Sequence, residues 1–171
     1  MGNIVLIGMP SCGKSTLGVL LAKSLGYKFL DSDLLIQERE GKLLHELISK
    51  FGNEKFIEIE NSANMSIDVD NTVISTGGSV VYCEGAMRHL ASIGKIVYIK
   101  ISYETLADRL GDYIHRGVVM PAGYTLLDMY NERSALYEKY ADHTFDSDNM
   151  TVTETLDALS SLCKKVISNK L

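Results

Sequence analysis

An apolar run, Ile4-Val5-Leu6-Ile7, ends at Gly8-Met9-Pro10-Ser11-Cys12-Gly13-Lys14-Ser15-Thr16, and leucines then recur at helical spacing from Leu17 to Leu25. No other stretch constrains the chain as much. A buried strand, a G-x-x-x-x-G-K-S loop and a helix in that order form a P-loop in the context that gives it meaning. The loop's N–H groups and the helix N-terminus converge on one point, where the helix dipole favours an anion. Gly8 and Gly13 let the backbone bend closely around that anion. Lys14 is placed to reach the outer phosphates of a nucleoside triphosphate, and the Ser15 hydroxyl to hold Mg²⁺. Ser11, Cys12, Gly13, Lys14, Ser15 and Thr16 are therefore the expected nucleotide-binding residues, with Cys12 either a small filler or a redox-sensitive thiol.

Around this motif, strand and helix patterns alternate. Apolar runs at 4–7, 28–30, 72–75 and 96–101, with a weaker one at 143–146, read as buried parallel strands. Helical patterns fill 14–25, 34–40, 42–50, 53–65, 85–93, 103–110, 124–140 and 152–168. Such alternation predicts a parallel α/β sheet with ligands at the carboxyl ends of its strands. With 171 residues, 46% of them hydrophobic, two prolines and no linker-like or repeated stretch, a single domain is expected.

Polar residues fall at those strand ends. Asp31 and Asp33 alternate where the second strand runs out, so extended chain would present both to one side. One suits a water-mediated Mg²⁺ contact and the other acceptance of a hydroxyl proton. Asp33 also suits the N-cap of a helix beginning at Leu34. Thr76-Gly77-Gly78-Ser79 follows the third strand, where paired glycines permit close backbone approach to a ligand or simply turn the chain. Arg109, Arg116 and Arg133 lie in the last third of the sequence. Any of them is either a solvated surface charge or a cation for a transferring phosphoryl group. Arg133 has Met129 and Tyr137 at its helical neighbours, so no acidic partner on its own helix accounts for it. Gly111 and Gly117 bracket a segment suited to a water-excluding lid.

Charge and cysteine usage narrow the partners. A net charge of −5 argues against nucleic acid, which calls for a basic face. Three cysteines without a C-x-x-C pair fit reduced thiols in a cytoplasm. With the first strand so near Met1, no leader is expected, and no apolar stretch has the length of a membrane span. Four scattered histidines lack zinc-ligand spacing.

Taken together, these pieces resemble the shikimate kinase family from Ile4 to about Phe145. The phosphate loop matches at Gly8–Thr16, the D-x-D at Asp31 and Asp33, and the L-G-x-x-F-x-D approach at Leu25-Gly26-Tyr27-Lys28-Phe29-Leu30-Asp31. The E-x-x-G-K segment matches at Glu38–Lys42, the lid arginines at Arg109 and Arg116, and E-R-x-x-L-Y at Glu132–Tyr137. The resemblance implies a five-stranded parallel sheet of order 2-3-1-4-5 between helices. It also implies a lid at about 111–120, an acceptor-binding subdomain at about 33–62, and a monomer. ATP and Mg²⁺ would be used to phosphorylate a hydroxyl of shikimate, in aromatic amino-acid biosynthesis. Lys14, Asp33 and Arg116 would be catalytic, with Arg109 along the adenine and Ser15 and Asp31 toward the metal. Asp33, Gly77, Gly78 and Arg133 would bind the acceptor, Arg133 at its carboxylate. Adenylate-kinase-type enzymes share the fold, but their D-G-F-P-R signature is absent here, where Ser75-Thr76-Gly77-Gly78 stands.

Three departures fall in the acceptor region. The family's F-R-x-x-E reads Phe56-Ile57-Glu58-Ile59-Glu60, so the second carboxylate-gripping arginine is Ile57. Losing such a charged hydrogen bond costs roughly 1.5–3 kcal/mol, or about one to two decades of affinity. The triple glycine reads Gly77-Gly78-Ser79, and R-P-L-L reads Arg116-Gly117-Val118-Val119, a looser hinge. The phosphate machinery is thus expected intact and the acceptor pocket altered. Shikimate, another small hydroxylated metabolite (an amine such as homoserine if Glu60 is free to bind it), and a nucleotide-binding protein without kinase activity remain the alternatives.

Overall fold

The computed structural model describes residues 2–111 and 118–168. Its strands, β1 (Asn3–Gly8), β2 (Lys28–Asp31), β3 (Thr72–Ser75), β4 (Gly94–Lys100) and β5 (His143–Asp146), form one parallel sheet of order β2-β3-β1-β4-β5. This is the 2-3-1-4-5 order implied by the resemblance. β1 lies at the centre with Ile4, Val5, Leu6 and Ile7 all fully buried, which is why its sequence is continuously apolar rather than alternating.

Seven helices accompany the strands among the described residues: α1 (Lys14–Leu25), α2 (Ser32–Glu40), α3 (Leu44–Met65), α4 (Glu84–Ile93), α5 (Tyr103–Leu110), α6 (Leu126–Tyr140) and α7 (Val152–Ser168). The two patterns expected at 42–50 and 53–65 join into α3, which breaks its helical geometry at Gly52 (φ 79°, ψ 170°). Left-handed φ of this kind is open to glycine at little cost. A 3₁₀ turn at Val80–Tyr82, which periodicity did not reveal, carries the chain from the glycine pair into α4.

Register aligns the functional strand ends. Leu6 and Asp31 both pair with Ser75, so the phosphate loop, the Asp31–Asp33 turn and the Thr76–Ser79 loop leave the sheet side by side. The main core packs on β1, β3 and β4, and a smaller cluster of Ile36, Leu47, Phe56, Ala63 and Val119 holds α2 and α3 beside the strand ends. Ile57 packs against both clusters.

Candidate active site

The loop at the end of β1 is held in a conformation that side chains seldom accept. Ser11 has φ 61° and Gly13 φ 101°, the latter immediately before α1. A non-glycine residue with positive φ is costly and persists where its surroundings impose it. The Cys12 N–H donates to Met9 O at 3.2 Å, and Cys12 itself is buried. Lys14 is also buried, its Nζ donating to the carbonyl oxygens of Gly8 at 2.9 Å and Met9 at 2.8 Å, so the cation is fixed across the loop.

Asp31, not Asp33, caps α2: its Oδ1 accepts the Asp33 N–H at 2.9 Å. The helix begins at Ser32 rather than Leu34 because the Asp31 carboxylate already satisfies an N–H of its first turn. The other oxygen of Asp31, Oδ2, accepts the Ser15 hydroxyl at 2.6 Å, with Ser75 Oγ 3.3 Å from Ser15 Oγ. Ser15 and Asp31 thus present hard oxygen donors together at the phosphate loop. That set suits Mg²⁺, which binds one or two protein oxygens and completes its shell with phosphates and water.

With Asp31 occupied in this way, the Asp33 carboxyl turns into the cavity. A Cβ placed on Gly77 would stand 2.8 Å from Asp33 Oδ1 and 2.4 Å from Glu60 Oε1, so glycine there leaves room for two carboxyl groups. Burial, then the Asp31 charge, push the Asp33 carboxyl up to about 6, against the opposing pull of Lys14. Glu60 is fully buried, and burial raises its carboxyl to about 7. The Ser79 hydroxyl, which donates to its Oε2 at 2.6 Å, and the charges of Arg133 and Lys14 oppose that rise, while Asp33 adds to it.

Arg133 is 1% exposed, which removes the surface-charge reading. Its Nη2 donates to Val119 O, its Nε to Tyr82 OH at 3.4 Å, and its guanidinium lies 5.2 Å from the centre of the Tyr82 ring. The Nη1 atom faces Gly78, 3.3 Å from where a Cβ would be. One helical turn on, Tyr137 OH donates to Gly78 O at 2.6 Å and fixes the glycine loop from the same helix. Asn53 donates to Met120 O at 2.7 Å, so residues 119 and 120 are each held through a backbone carbonyl. Val119 is buried in the smaller core cluster, and the looser hinge expected at Gly117 falls outside the described residues. Arg116 and Gly117 lie outside the described residues.

These groups line one cavity of about 520 Å³. Lys14, Ser15 and Thr16 stand on its wall with Asp33, Glu60, Gly77, Gly78, Ser79 and Arg133. Ile57 is not among the lining residues. Arg109 borders this cavity and also a second one of about 160 Å³ lined by Cys12, Gly13, Thr16, Ser147 and Met150. The motifs separated in sequence are thereby brought together, Arg116 apart. Glu60 and Ser79 stand out in the sequence only through the resemblance, and Tyr82, which supports the wall through Arg133, carries no signal in the spacing. Tyr137 had a signal, since it follows Arg133 by one helical turn.

A 2-3-1-4-5 parallel sheet with a phosphate loop, an acidic pair and a buried arginine around one cavity defines a P-loop small-molecule kinase. The family model "Shikimate kinase" matches residues 10–165. A shikimate kinase of Clostridium botulinum (strain Eklund 17B / Type B) is 34% identical over 168 residues, covering 98% of each chain. One from Thermodesulfovibrio yellowstonii is 31% identical over 173 residues, covering 99% of each. The solved structure of the Acinetobacter baumannii shikimate kinase in complex with shikimate superposes with a TM-score of 0.86 at 27% identity, covering 100% of this chain and 96% of that one. The chain belongs to the shikimate kinase family, small-molecule kinases that take their phosphate from ATP.

Proposed function

We propose that this chain transfers the γ-phosphoryl group of ATP to a hydroxyl of shikimate, releasing ADP and shikimate 3-phosphate. The observation that carries this reading is that one cavity is lined by Lys14 and Ser15 together with Asp33, Gly77, Gly78 and Arg133. Membership of the family, and likeness to a relative solved with shikimate, support the choice of acceptor.

Each residue then has a role its surroundings favour. The loop N–H groups of residues 11–16 and the α1 N-terminus cradle the phosphates. Lys14 neutralises charge on them, and Arg116, assigned from the motif, does so at the transferring group. Ser15 and Asp31 would hold Mg²⁺, which when bound supplies positive charge to the phosphate oxygens. Asp33, kept ionised beside Lys14, accepts a hydrogen bond from the attacking hydroxyl and takes its proton as the oxygen bonds to phosphorus. Arg133 binds the acceptor carboxylate, and the second cavity, with Arg109 on its rim, receives the base. A lid at about 111–120 and an acceptor subdomain at about 33–62 are the segments we assign to covering the substrates. Free, buried Cys12, Cys83 and Cys163 support a cytoplasmic setting.

Phosphorus-31 NMR tests the reading. Mg-ATP with shikimate should yield ADP and a new phosphomonoester resonance, and neither substrate alone should. ADP formed without a phosphomonoester, or no turnover despite bound ATP, would refute it. One observation favours a second acceptor: Ile57, next to the lining residue Phe56, packs against the core and supplies no cation to the cavity. A small hydroxylated metabolite less dependent on a two-arginine carboxylate clamp is that second reading, and it would be turned over in place of shikimate.

A further inference from the structure

The acceptor side of the cavity contains a buried carboxyl group lacking the cation that an ionised one requires. Glu60 is 0% exposed and takes part in none of the ion pairs found among the described residues. Its Oε2 accepts the Ser79 hydroxyl at 2.6 Å, while Oε1 has no hydrogen-bond partner among the described residues. Glu60 is among the residues lining the cavity, and Oε1 lies buried against Gly77, where a Cβ would come within 2.4 Å of it. One helical turn earlier, Ile57 supplies only an aliphatic chain, packed between the two core clusters.

An ionised carboxylate in this place would be stripped of water with one hydrogen bond in return, an arrangement that buried charges avoid. A neutral carboxylic acid fits instead. Its carbonyl oxygen accepts from Ser79, and its O–H, on Oε1, is left to donate into the cavity. The charged and titratable groups facing it are Asp33 from α2, Arg133 from α6, Lys14 from α1 and Cys83 from the turn before α4. Burial and Asp33 hold the proton on Glu60, while Arg133 and Lys14 draw it off. The carboxyl consequently titrates near neutrality, at about 7.

We propose, building on the shikimate reading above, that Glu60 holds the acceptor as a neutral carboxylic acid, donating its Oε1–H to the acceptor's carboxylate beside Arg133. An arginine and an acid proton then do the work of a two-cation clamp. Because the ligand is an anion, its arrival strengthens Glu60's hold on the proton, and above the free carboxyl's midpoint acceptor binding takes up one proton. The pocket therefore selects a carboxylate-bearing acceptor and weakens its grip as the solution becomes alkaline.

Two measurements test this. In steady-state kinetics with saturating Mg-ATP, shikimate is varied from pH 5.5 to 9 for the wild type and for Glu60→Gln and Ile57→Arg. The wild-type KM should stay level in acid and climb toward about tenfold per pH unit above about pH 7, with kcat little involved. Glu60→Gln carries an N–H donor at every pH, so the climb should vanish and its KM at pH 8.5 should fall about tenfold or more below the wild-type value. Ile57→Arg should likewise flatten the profile, because the new cation ionises Glu60 and itself binds the carboxylate. A level wild-type profile, a climb that persists in Glu60→Gln, or a KM raised by Glu60→Gln at pH 8.5 would overturn the proposal. The last result would mean that an ionised Glu60 accepts a hydrogen bond from a hydroxyl or ammonium. Carbon-13 NMR of the glutamate carboxyls of the wild type, with Glu60→Gln to assign the signal, reads the proton directly: a midpoint near neutrality supports the proposal and one below about 5 overturns it. Absence of shikimate-dependent turnover at every pH would sink the shikimate reading instead, and the carboxyl midpoint would still decide the state of Glu60.

Discussion

Replacing Glu60 by Gln should stabilise the fold, and only above acid pH. The folded carboxyl titrates at about 7 against an ordinary value of 4.5, chiefly because of burial. Each pH unit of separation is worth about 1.4 kcal/mol, so the whole interval amounts to at most about 3.5 kcal/mol. The sign follows from which state binds the proton more tightly. Between the two midpoints the folded chain keeps a proton that the unfolded chain has released, so stability falls as pH rises. The contribution is fully present below about 4.5 and fully lost above about 7. Glutamine has the same shape, accepts from Ser79 through its carbonyl and does not titrate. For a chain of this length 1 kcal/mol moves Tm by about 2–4 °C. Calorimetry of both proteins should therefore find the Tm of Glu60→Gln rising relative to wild type by up to about 12 °C between pH 5 and pH 8. Asp33 titrates in both proteins and largely cancels in the difference. An offset that is the same at pH 5 and pH 8 would refute the reasoning, because Glu60 would then carry the same charge at both.

Three further outcomes follow from the same geometry. Lys14→Ala removes the cation fixed by Gly8 O and Met9 O, and acceptor-dependent ADP production should fall by about two to three decades while the protein stays folded by circular dichroism. Turnover of acceptor should decline about tenfold per pH unit below about 6, where Asp33 gains a proton and can no longer accept one, and a pH–rate profile of Asp33→Asn should lack that acid limb at a much lower rate. Gly77→Ala would drive a methyl group to 2.4 Å from Glu60 Oε1 and 2.8 Å from Asp33 Oδ1, so shikimate KM should rise well over tenfold while ATP affinity, measured by calorimetry, is kept.

Much of the sheet was legible because its information is local. A buried parallel strand must be apolar throughout, and β1, β3 and β4 are. The gap left between two helical patterns around Gly52 corresponds to a real break in α3. The helix start at Ser32 was less readable, since Asp31 and Asp33 are both good caps and only the folded chain shows Asp31 accepting the Asp33 N–H. Long-range partners were beyond reach. Arg133 is held by Val119 and Tyr82, which lie 14 and 51 positions away, and Glu60 by Ser79, 19 positions away. Ile57 and Ser79 stood out as departures in the sequence, but only the packing of α3 against the Gly77–Ser79 loop joins them through Glu60. Spacing along a chain records which faces are apolar; it does not record which buried carboxyl is left without a cation.

The most direct test of the central claim is steady-state ADP release with Mg-ATP as shikimate is raised from micromolar to tens of millimolar. A saturable, shikimate-dependent rate that disappears in Lys14→Ala is the predicted result. A rate indifferent to shikimate across that range, with ATP binding intact, would contradict the claim that this cavity phosphorylates shikimate.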